Sequence, residues 1–148
     1  SKTASPSGGY AGDLEPRESW ELLSKEPEGQ LVDVRTEAEW NFVGVPDVSR
    51  LKRRVLFCEW QRFPAAPNPE FVDEVVEALK QTNYRKGAPL LFLCRSGARS
   101  RAAAIALSAA GYAPCFNIKD GFEGALDGER HRGAAAGWKA EGLPWVQS

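Results

Sequence analysis

Leu90-Leu91-Phe92-Leu93-Cys94-Arg95-Ser96-Gly97-Ala98-Arg99-Ser100-Arg101 is the stretch on which the fold prediction rests. It begins, after Pro89, as an apolar run that is typical of a central strand buried on both faces. Residues 100–110 are rich in alanine and stop before Gly111, which predicts a helix ended by a glycine. Cys94 is therefore predicted at the carboxyl end of a buried strand, facing the start of a helix. Open α/β sheets bind their ligands at that edge.

The loop between this strand and helix has the character of an anion-binding site. Backbone N–H groups of a tight loop and of a helix N-terminus point at a common centre. Arg95, Arg99 and Arg101 add positive charge nearby. These features favour the thiolate form of Cys94 and make it a candidate nucleophile. The alternative is a buried core cysteine, but such a residue has no use for three arginines.

Composition limits the classes of protein to which the chain can belong. Its 148 residues suffice for one domain with a real core. A hydrophobic content of 43% and a charged content of 26% are those of a soluble globular protein. The net charge of −1 gives no reason to expect nucleic acid or a membrane as partner, and no apolar run reaches membrane-spanning length.

The cysteines and the amino terminus lead to three further expectations. Three cysteines without a CxxC pair fit reduced thiols in the cytoplasm better than a disulfide framework. With His131 as the one histidine, and in a charged loop, we expect neither a metal site nor a cofactor. Residues 1–12 are rich in Ser, Gly and Pro and lack the apolar core of a signal peptide. They are predicted to be a flexible lead-in to a single domain of residues 13–148.

The rest of the chain alternates between predicted helices and strands. Connectors separate them at residues 44–54 and, where prolines are frequent, at 61–69. Such alternation predicts a parallel central sheet covered by helices on both faces. The predicted helices span residues 14–25, 36–42, 69–81 and 134–141, and the remaining strands span 30–35, 55–60 and 115–118.

Two local pairs stand near the end of the strand at residues 30–35. Asp33 and Arg35 lie two positions apart, so in a strand their side chains share a face. We interpret them as a structural ion pair, which fixes geometry, in preference to a catalytic pair. Thr36 and Glu39 have the spacing of a capping box and predict the start of the next helix.

Three motifs in this order resemble those of single-domain rhodaneses, and the match runs from about residue 14 to residue 146. They are Leu31-Val32-Asp33-Val34-Arg35, then Cys94-Arg95-Ser96-Gly97-Ala98-Arg99-Ser100, then Gly121-Phe122-Glu123-Gly124 with Trp138 and Gly142-Leu143-Pro144. The resemblance implies a rhodanese-like α/β fold and a thiosulfate sulfurtransferase. Such an enzyme moves a sulfane sulfur to a thiol or cyanide acceptor through a cysteine persulfide.

Residue by residue, the resemblance implies that Cys94 carries the persulfide. Asp33 and Arg35 keep the role of structural support that their spacing indicates. The donor would be a small anion such as thiosulfate, which the forked guanidinium groups of Arg95 and Arg99 would help to bind and orient. The acceptor thiol could belong to a small molecule or to a protein. The sulfur-binding loop would consist of Arg95, Ser96, Gly97, Ala98, Arg99 and Ser100.

Three features depart from the family pattern: the connector to the third strand is longer, residues 120–138 carry an apparent insertion, and the segment after the second helix differs. Rhodanese domains commonly have a Gly-His-Ile-Pro-Gly-Ala-like segment after the second helix. Here that stretch reads Asn41-Phe42-Val43-Gly44-Val45-Pro46-Asp47. These departures leave the acceptor site open but do not affect the cysteine.

Three other functions remain open on the sequence. The related dual-specificity phosphatases have five residues between the loop cysteine and its arginine. Only four separate Cys94 from Arg99, which suits one sulfur atom better than a phosphoryl group. A non-catalytic rhodanese-like binding module would have least need of a cysteine, yet Cys94 is present. A sulfur relay from protein to protein would use the same cysteine and is not excluded.

Overall fold

The computed structural model describes residues 10–36, 39–41, 44–51, 54–62, 66–82, 84–95, 98–119, 121–122, 138 and 142–146. In chain order the elements are β1 (Gly12–Leu14), α1 (Pro16–Lys25), β2 (Gln30–Asp33), β3 (Val45–Pro46), a 3-10 turn (Ser49–Leu51), β4 (Leu56–Phe57), β5 (Gln61–Arg62), β6 (Ala66–Pro67), α2 (Phe71–Leu79), β7 (Leu90–Leu93), α3 (Ala98–Ala109), β8 (Cys115–Ile118) and β9 (Trp145–Val146). Residues 39–41 are also helical. Within these ranges, every helix is too short or too polar to cross a bilayer.

The central sheet has five strands in the order β1-β8-β7-β2-β4. All four neighbouring pairs are parallel. The strand that carries Cys94 at its end lies in the middle of this sheet. The predicted parallel α/β fold is confirmed. Two short antiparallel pairs, β3 with β9 and β5 with β6, lie outside it.

The apolar sequence of β7 explains why this strand is central. All four of its residues are buried, and they alternate between two cores. Leu90 and Phe92 join a cluster that contains residues of α2 and α3. Leu91 and Leu93 join the opposite cluster, which contains Leu23 of α1. Helices therefore cover both faces of the sheet, as predicted.

The folded part of the chain begins earlier than the sequence indicated. Residues 10–12 had been assigned to the flexible lead-in, but Gly12 is in β1, which pairs with β8. Tyr10 is buried, and the Ala11 N–H donates to the Cys115 carbonyl at 2.9 Å. A three-residue edge strand is too short for a hydrophobic pattern, and its surroundings are rich in Ser and Gly. The prediction was therefore wrong for these residues.

The other elements follow the prediction with shifted ends. The helix predicted over 69–81 spans only Phe71–Leu79; just before it, the Asn68 carboxamide oxygen accepts the Glu70 N–H at 3.0 Å. The connector at 44–54 contains β3, and the loop at 61–69 contains β5 and β6, which the sequence did not indicate. Apart from Trp138, the helix predicted at 134–141 lies outside the described residues.

Candidate active site

Cys94 is the first residue after the central strand. Its side chain is buried, with 1% of the residue exposed. The backbone on either side is fixed, because the Val34 N–H donates to the Leu93 carbonyl and the Phe122 N–H donates to the Cys94 carbonyl, both at 2.8 Å. The thiol therefore lies at the carboxyl edge of the sheet, where the sequence predicted it.

The residues of the predicted sulfur-binding loop are not equivalent. Arg95 is exposed, whereas Ser100 is fully buried in the first turn of α3. Ala98 is the first residue of that helix, which thus begins two positions earlier than predicted. Ser96 and Gly97, whose N–H groups were expected to help surround the sulfur, lie outside the described residues.

Arg99 has a partner that the sequence did not reveal. Its Nη1 and Nη2 atoms donate to the two carboxylate oxygens of Glu39 at 2.8 and 2.9 Å. Both side chains are mostly buried, with 19% and 18% exposed. The sequence predicted that the Arg99 guanidinium binds an anionic donor. In the structure, both of its Nη atoms instead donate to the carboxylate of Glu39. The charge of Arg99 is therefore largely balanced before any substrate arrives.

Glu39 is held in place by the predicted capping box. Its Oε1 accepts the Thr36 N–H at 3.0 Å, and its own N–H donates to the Thr36 hydroxyl at 3.4 Å. Burial alone would raise the pKa of Glu39. Hydrogen bonds from Arg99 and Thr36, with the charge of Arg99, outweigh burial and lower the pKa from 4.5 to about 2.

This shift predicts how stability depends on pH. The folded pKa of Glu39 is depressed, so its stabilising contribution is complete above pH 4.5 and is lost as the pH falls toward about 2. A shift from 4.5 to about 2 corresponds to about 3 kcal/mol. Between pH 5 and pH 2, denaturant unfolding of wild type should lose more free energy than that of Glu39→Gln, by about this amount. Glu77→Gln is the matched control because the Glu77–Lys80 pair is exposed. Equal pH profiles for wild type and Glu39→Gln would contradict the prediction.

Asp33 and Arg35 form the ion pair that the sequence predicted, and both are fully buried. Arg35 donates from Nε and Nη2 to the two Asp33 carboxylate oxygens at 3.0 and 2.7 Å. The same Nη2 donates to the Gly44 carbonyl at 2.7 Å, and the guanidinium lies 4.4 Å from the centre of the Phe122 ring. The pair thus connects β2 to the turn that binds the Cys94 carbonyl.

Gly121 in that turn makes a close approach that only glycine allows. Its φ is +60°, a conformation that other residues avoid. A Cβ at this position would collide with the Cys94 carbonyl oxygen and lie 2.6 Å from the Arg95 carbonyl carbon. The sequence analysis used Gly121 only as part of the motif Gly121-Phe122-Glu123-Gly124 and assigned it no role of its own.

A row of polar side chains leads from Cys94 to the edge of the sheet. The Ser100 hydroxyl lies 3.2 Å from the Cys94 Sγ and 2.5 Å from the Asn117 Oδ1. The Asn117 Nδ2 donates to the Asp13 Oδ1 at 3.0 Å, and the Tyr10 hydroxyl donates to the same oxygen at 2.8 Å. Apart from Cys94, Ser100 is the one residue of this row that the sequence analysis identified. Asp13 and Asn117 lie side by side because they are register partners in β1 and β8. No local sequence motif predicts this pairing.

The other two cysteines are ordinary core residues. Burial, with the nearby charge of Glu74, raises the pKa of Cys58 to about 12. Burial also raises the pKa of Cys115 to about 11, and its thiol donates to the Tyr112 carbonyl at 3.0 Å. Both remain thiols at neutral pH and are poor nucleophiles.

Comparison with known proteins identifies the family of the chain and its fold. The family model described as the STR4 middle domain matches residues 12–148. The crystal structure of Rv0390 from M. tuberculosis is 50% identical in sequence, with a TM-score of 0.84. That match covers 94% of this chain and 99% of the other.

Two more distant structures share the fold. The polysulfide-sulfur transferase homodimer of Wolinella succinogenes has a TM-score of 0.59 at 22% identity, covering 92% of this chain and 78% of that one. A rhodanese-like domain protein of Staphylococcus aureus has a TM-score of 0.53 at 21% identity, covering 93% of this chain and 99% of that one. The chain belongs to the STR4 middle-domain family and has a rhodanese-like fold.

Proposed function

We propose that the protein is a sulfurtransferase that moves a sulfane sulfur from thiosulfate or a similar donor to an acceptor through a persulfide on Cys94. The observation that carries the proposal is the position of this thiol at the carboxyl end of the central strand, against the first turn of α3. Burial keeps Cys58 and Cys115 as thiols, which leaves Cys94 as the candidate nucleophile. The fold is shared with a polysulfide-sulfur transferase, which supports the same class of reaction.

The proposed reaction has two balanced steps. The Cys94 thiolate attacks the outer sulfur of thiosulfate, so that a Cys94 Sγ–S bond forms while the S–S bond of the donor breaks. The bonding electron pair leaves with sulfite, and the enzyme holds a persulfide anion. In the second step, cyanide or a thiolate attacks the terminal sulfur. The Sγ–S bond breaks, Cys94 returns to its thiolate, and thiocyanate or a new persulfide leaves.

Arginine side chains are proposed to bind the donor, with unequal roles. Arg95 is exposed beside Cys94 and can reach an approaching oxyanion. Arg99 already binds Glu39 through both prongs of its fork, so a dianion would have to share it or displace the carboxylate. Because Glu39 neutralises part of the positive charge, donors with less charge than thiosulfate, such as persulfides, fit this site as well.

The acceptor is proposed to be a thiol, either a small molecule or a cysteine of another protein. In a laboratory assay of sulfur transfer, cyanide can replace the thiol acceptor. Three cysteines without a disulfide framework suit a reducing compartment, and we propose the cytoplasm as the place of action. A protein-to-protein sulfur relay would use the same persulfide and differs only in the acceptor.

Mass spectrometry of the whole protein after treatment with thiosulfate tests the proposal. We expect the mass to rise by one sulfur atom, and cyanide to remove that atom as thiocyanate. Peptide mapping should place the sulfur on Cys94, with Cys58 and Cys115 as internal controls in the same digest. Aryl phosphate hydrolysis should be undetectable, because only four residues separate Cys94 from Arg99. Hydrolysis that depends on Cys94, without sulfur uptake, would instead establish the phosphatase alternative.

A further inference from the structure

Carboxylates of the protein lie against two of the arginines near Cys94. Glu39 accepts hydrogen bonds from both Nη atoms of Arg99 at 2.8 and 2.9 Å. Asp33 accepts hydrogen bonds from Nε and Nη2 of Arg35 at 3.0 and 2.7 Å. Each of these guanidinium groups therefore has a counter-ion before a sulfur donor arrives.

The Glu39 carboxylate is fixed in its position beside Arg99. Only 18% of its side chain is exposed, and its Oε1 accepts the N–H and the hydroxyl of Thr36 at 3.0 and 3.1 Å. Its pKa of about 2 keeps it ionised at neutral pH. A donor that displaced it from Arg99 would leave a mostly buried negative charge without its counter-ion, which is strongly unfavourable. We therefore expect Glu39 to stay in place while a donor binds.

Arg99 lies between this carboxylate and the reacting sulfur in its electrostatic interactions. Burial alone would lower the pKa of Arg99, but hydrogen bonds and charge from Glu39 raise it, and Arg99 also interacts with Cys94 and Asp33. A donor that brings its outer sulfur to Cys94 is therefore attracted by Arg99 and repelled by Glu39. The electrostatic energy between two charges is proportional to each of them, so Glu39 opposes a dianion twice as strongly as a monoanion.

We propose that Glu39 is a specificity-determining residue, which disfavours dianionic donors such as thiosulfate and directs the site toward sulfane sulfur donors with one negative charge. Persulfide anions of thiols and thiosulfonates belong to that class. The inference rests on the proposed function and narrows its donor. Glu39 acts through Arg99, whose charge it offsets, and takes no part in the bond changes at sulfur.

The reaction with a persulfide donor is balanced in the same way as the reaction with thiosulfate. The Cys94 thiolate attacks the terminal sulfur of the donor, and a Sγ–S bond forms while the S–S bond of the donor breaks. The bonding electron pair leaves with the donor thiolate, and the enzyme again holds a persulfide anion. The donor's charge is therefore the property on which Glu39 acts.

Two donors that differ in charge but transfer the same kind of sulfur test the proposal. Thiosulfate has two negative charges, whereas in methanethiosulfonate a methyl group replaces one oxygen and a single charge remains. Both deliver an outer sulfur that is bonded to an oxidised sulfur. The measurement is kcat/KM for each donor, from thiocyanate formation with cyanide as acceptor, in wild type and in Glu39→Gln.

We expect Glu39→Gln to raise kcat/KM by roughly tenfold for thiosulfate and by roughly threefold for methanethiosulfonate, because removal of one charge has twice the energetic effect on a dianion. The ratio of the thiosulfate value to the methanethiosulfonate value should thus rise about threefold. A merely structural role would change both values by the same factor. Both values come from one protein sample, so their ratio does not depend on the fraction of the variant that is folded. An unchanged or lower ratio would overturn the proposal.

Three variants serve as controls. Glu39→Asp keeps the negative charge on a shorter side chain, so its donor ratio should stay close to that of wild type. Glu77→Gln removes an exposed charge that pairs with Lys80, and its ratio should not change. In the double variant Glu39→Gln with Arg99→Gln, the guanidinium that Glu39 offsets is gone, so the ratio should return to the wild-type value. A raised ratio in any of these three variants would equally reject the proposal.

Failure of this inference can be distinguished from failure of the proposed function. If neither donor places a sulfur on Cys94, the proposed function is wrong and the inference fails with it. If both donors place sulfur on Cys94 in wild type but Glu39→Gln leaves the ratio unchanged, the sulfurtransferase activity stands. Glu39 is then only a structural partner of Arg99.

Discussion

Replacement of Cys94 by serine is expected to reduce the transfer of sulfur from thiosulfate to cyanide by at least about 10³-fold. A serine hydroxyl is not ionised at neutral pH, and its oxygen cannot form the persulfide that the reaction passes through. The fold should survive, because serine is of similar size and can keep a hydrogen bond to Ser100. The measurement is thiocyanate formation, with circular dichroism to verify the fold.

Cys115→Ser is the matched control for this variant. Its side chain is also buried, at 0% exposed, and a hydroxyl can still donate to the Tyr112 carbonyl as the thiol does. Its activity should therefore remain close to wild type, as should that of Cys58→Ser. If either of these two variants lost activity while Cys94→Ser stayed active, the persulfide would have to form on a cysteine other than Cys94.

The central part of the fold could be predicted because its signals are local. In an apolar run such as Leu90–Leu93, every side chain is removed from water only if both faces of the strand are buried. An alanine-rich segment after a polar loop favours a helix. These two elements place Cys94 without knowledge of the rest of the chain. The capping box of Thr36 and Glu39 is equally local and formed as predicted.

The parts of the site that were missed depend on contacts between distant residues. Glu39 and Arg99 are 60 positions apart, and each has a simpler role in its own local motif. Asp13 and Asn117 are 104 positions apart and meet only because β1 pairs with β8. A sequence pattern identifies a carboxylate or an arginine, but it does not identify the distant residue that neutralises its charge. It therefore overstated the positive charge available to a donor.

Substitution of Gly121 by alanine is expected to have the second-largest effect, although this residue carries no reactive group. A left-handed backbone conformation costs an alanine roughly 1–2 kcal/mol. The new Cβ would also collide with the Cys94 carbonyl oxygen and approach the Arg95 carbonyl oxygen to 2.7 Å. Backbone atoms cannot swing aside as a side chain can. The turn and the end of β7 must therefore separate, which breaks or stretches the 2.8 Å hydrogen bond from the Phe122 N–H to the Cys94 carbonyl.

Because displacement of a reacting atom by about 1 Å can cost about 10²-fold in rate, we expect a loss of that order in sulfur transfer by Gly121→Ala. Unfolding free energy should fall by about 2–4 kcal/mol, combining strain with overpacking. Gly142→Ala isolates the strain, because Gly142 has a similar φ of +74° and its Cβ would meet no atom of the described residues within 4 Å. That variant should lose only about 1–2 kcal/mol of stability and keep its activity. If both variants transferred sulfur equally well, the contact between the Gly121 turn and Cys94 would have no part in positioning the thiol.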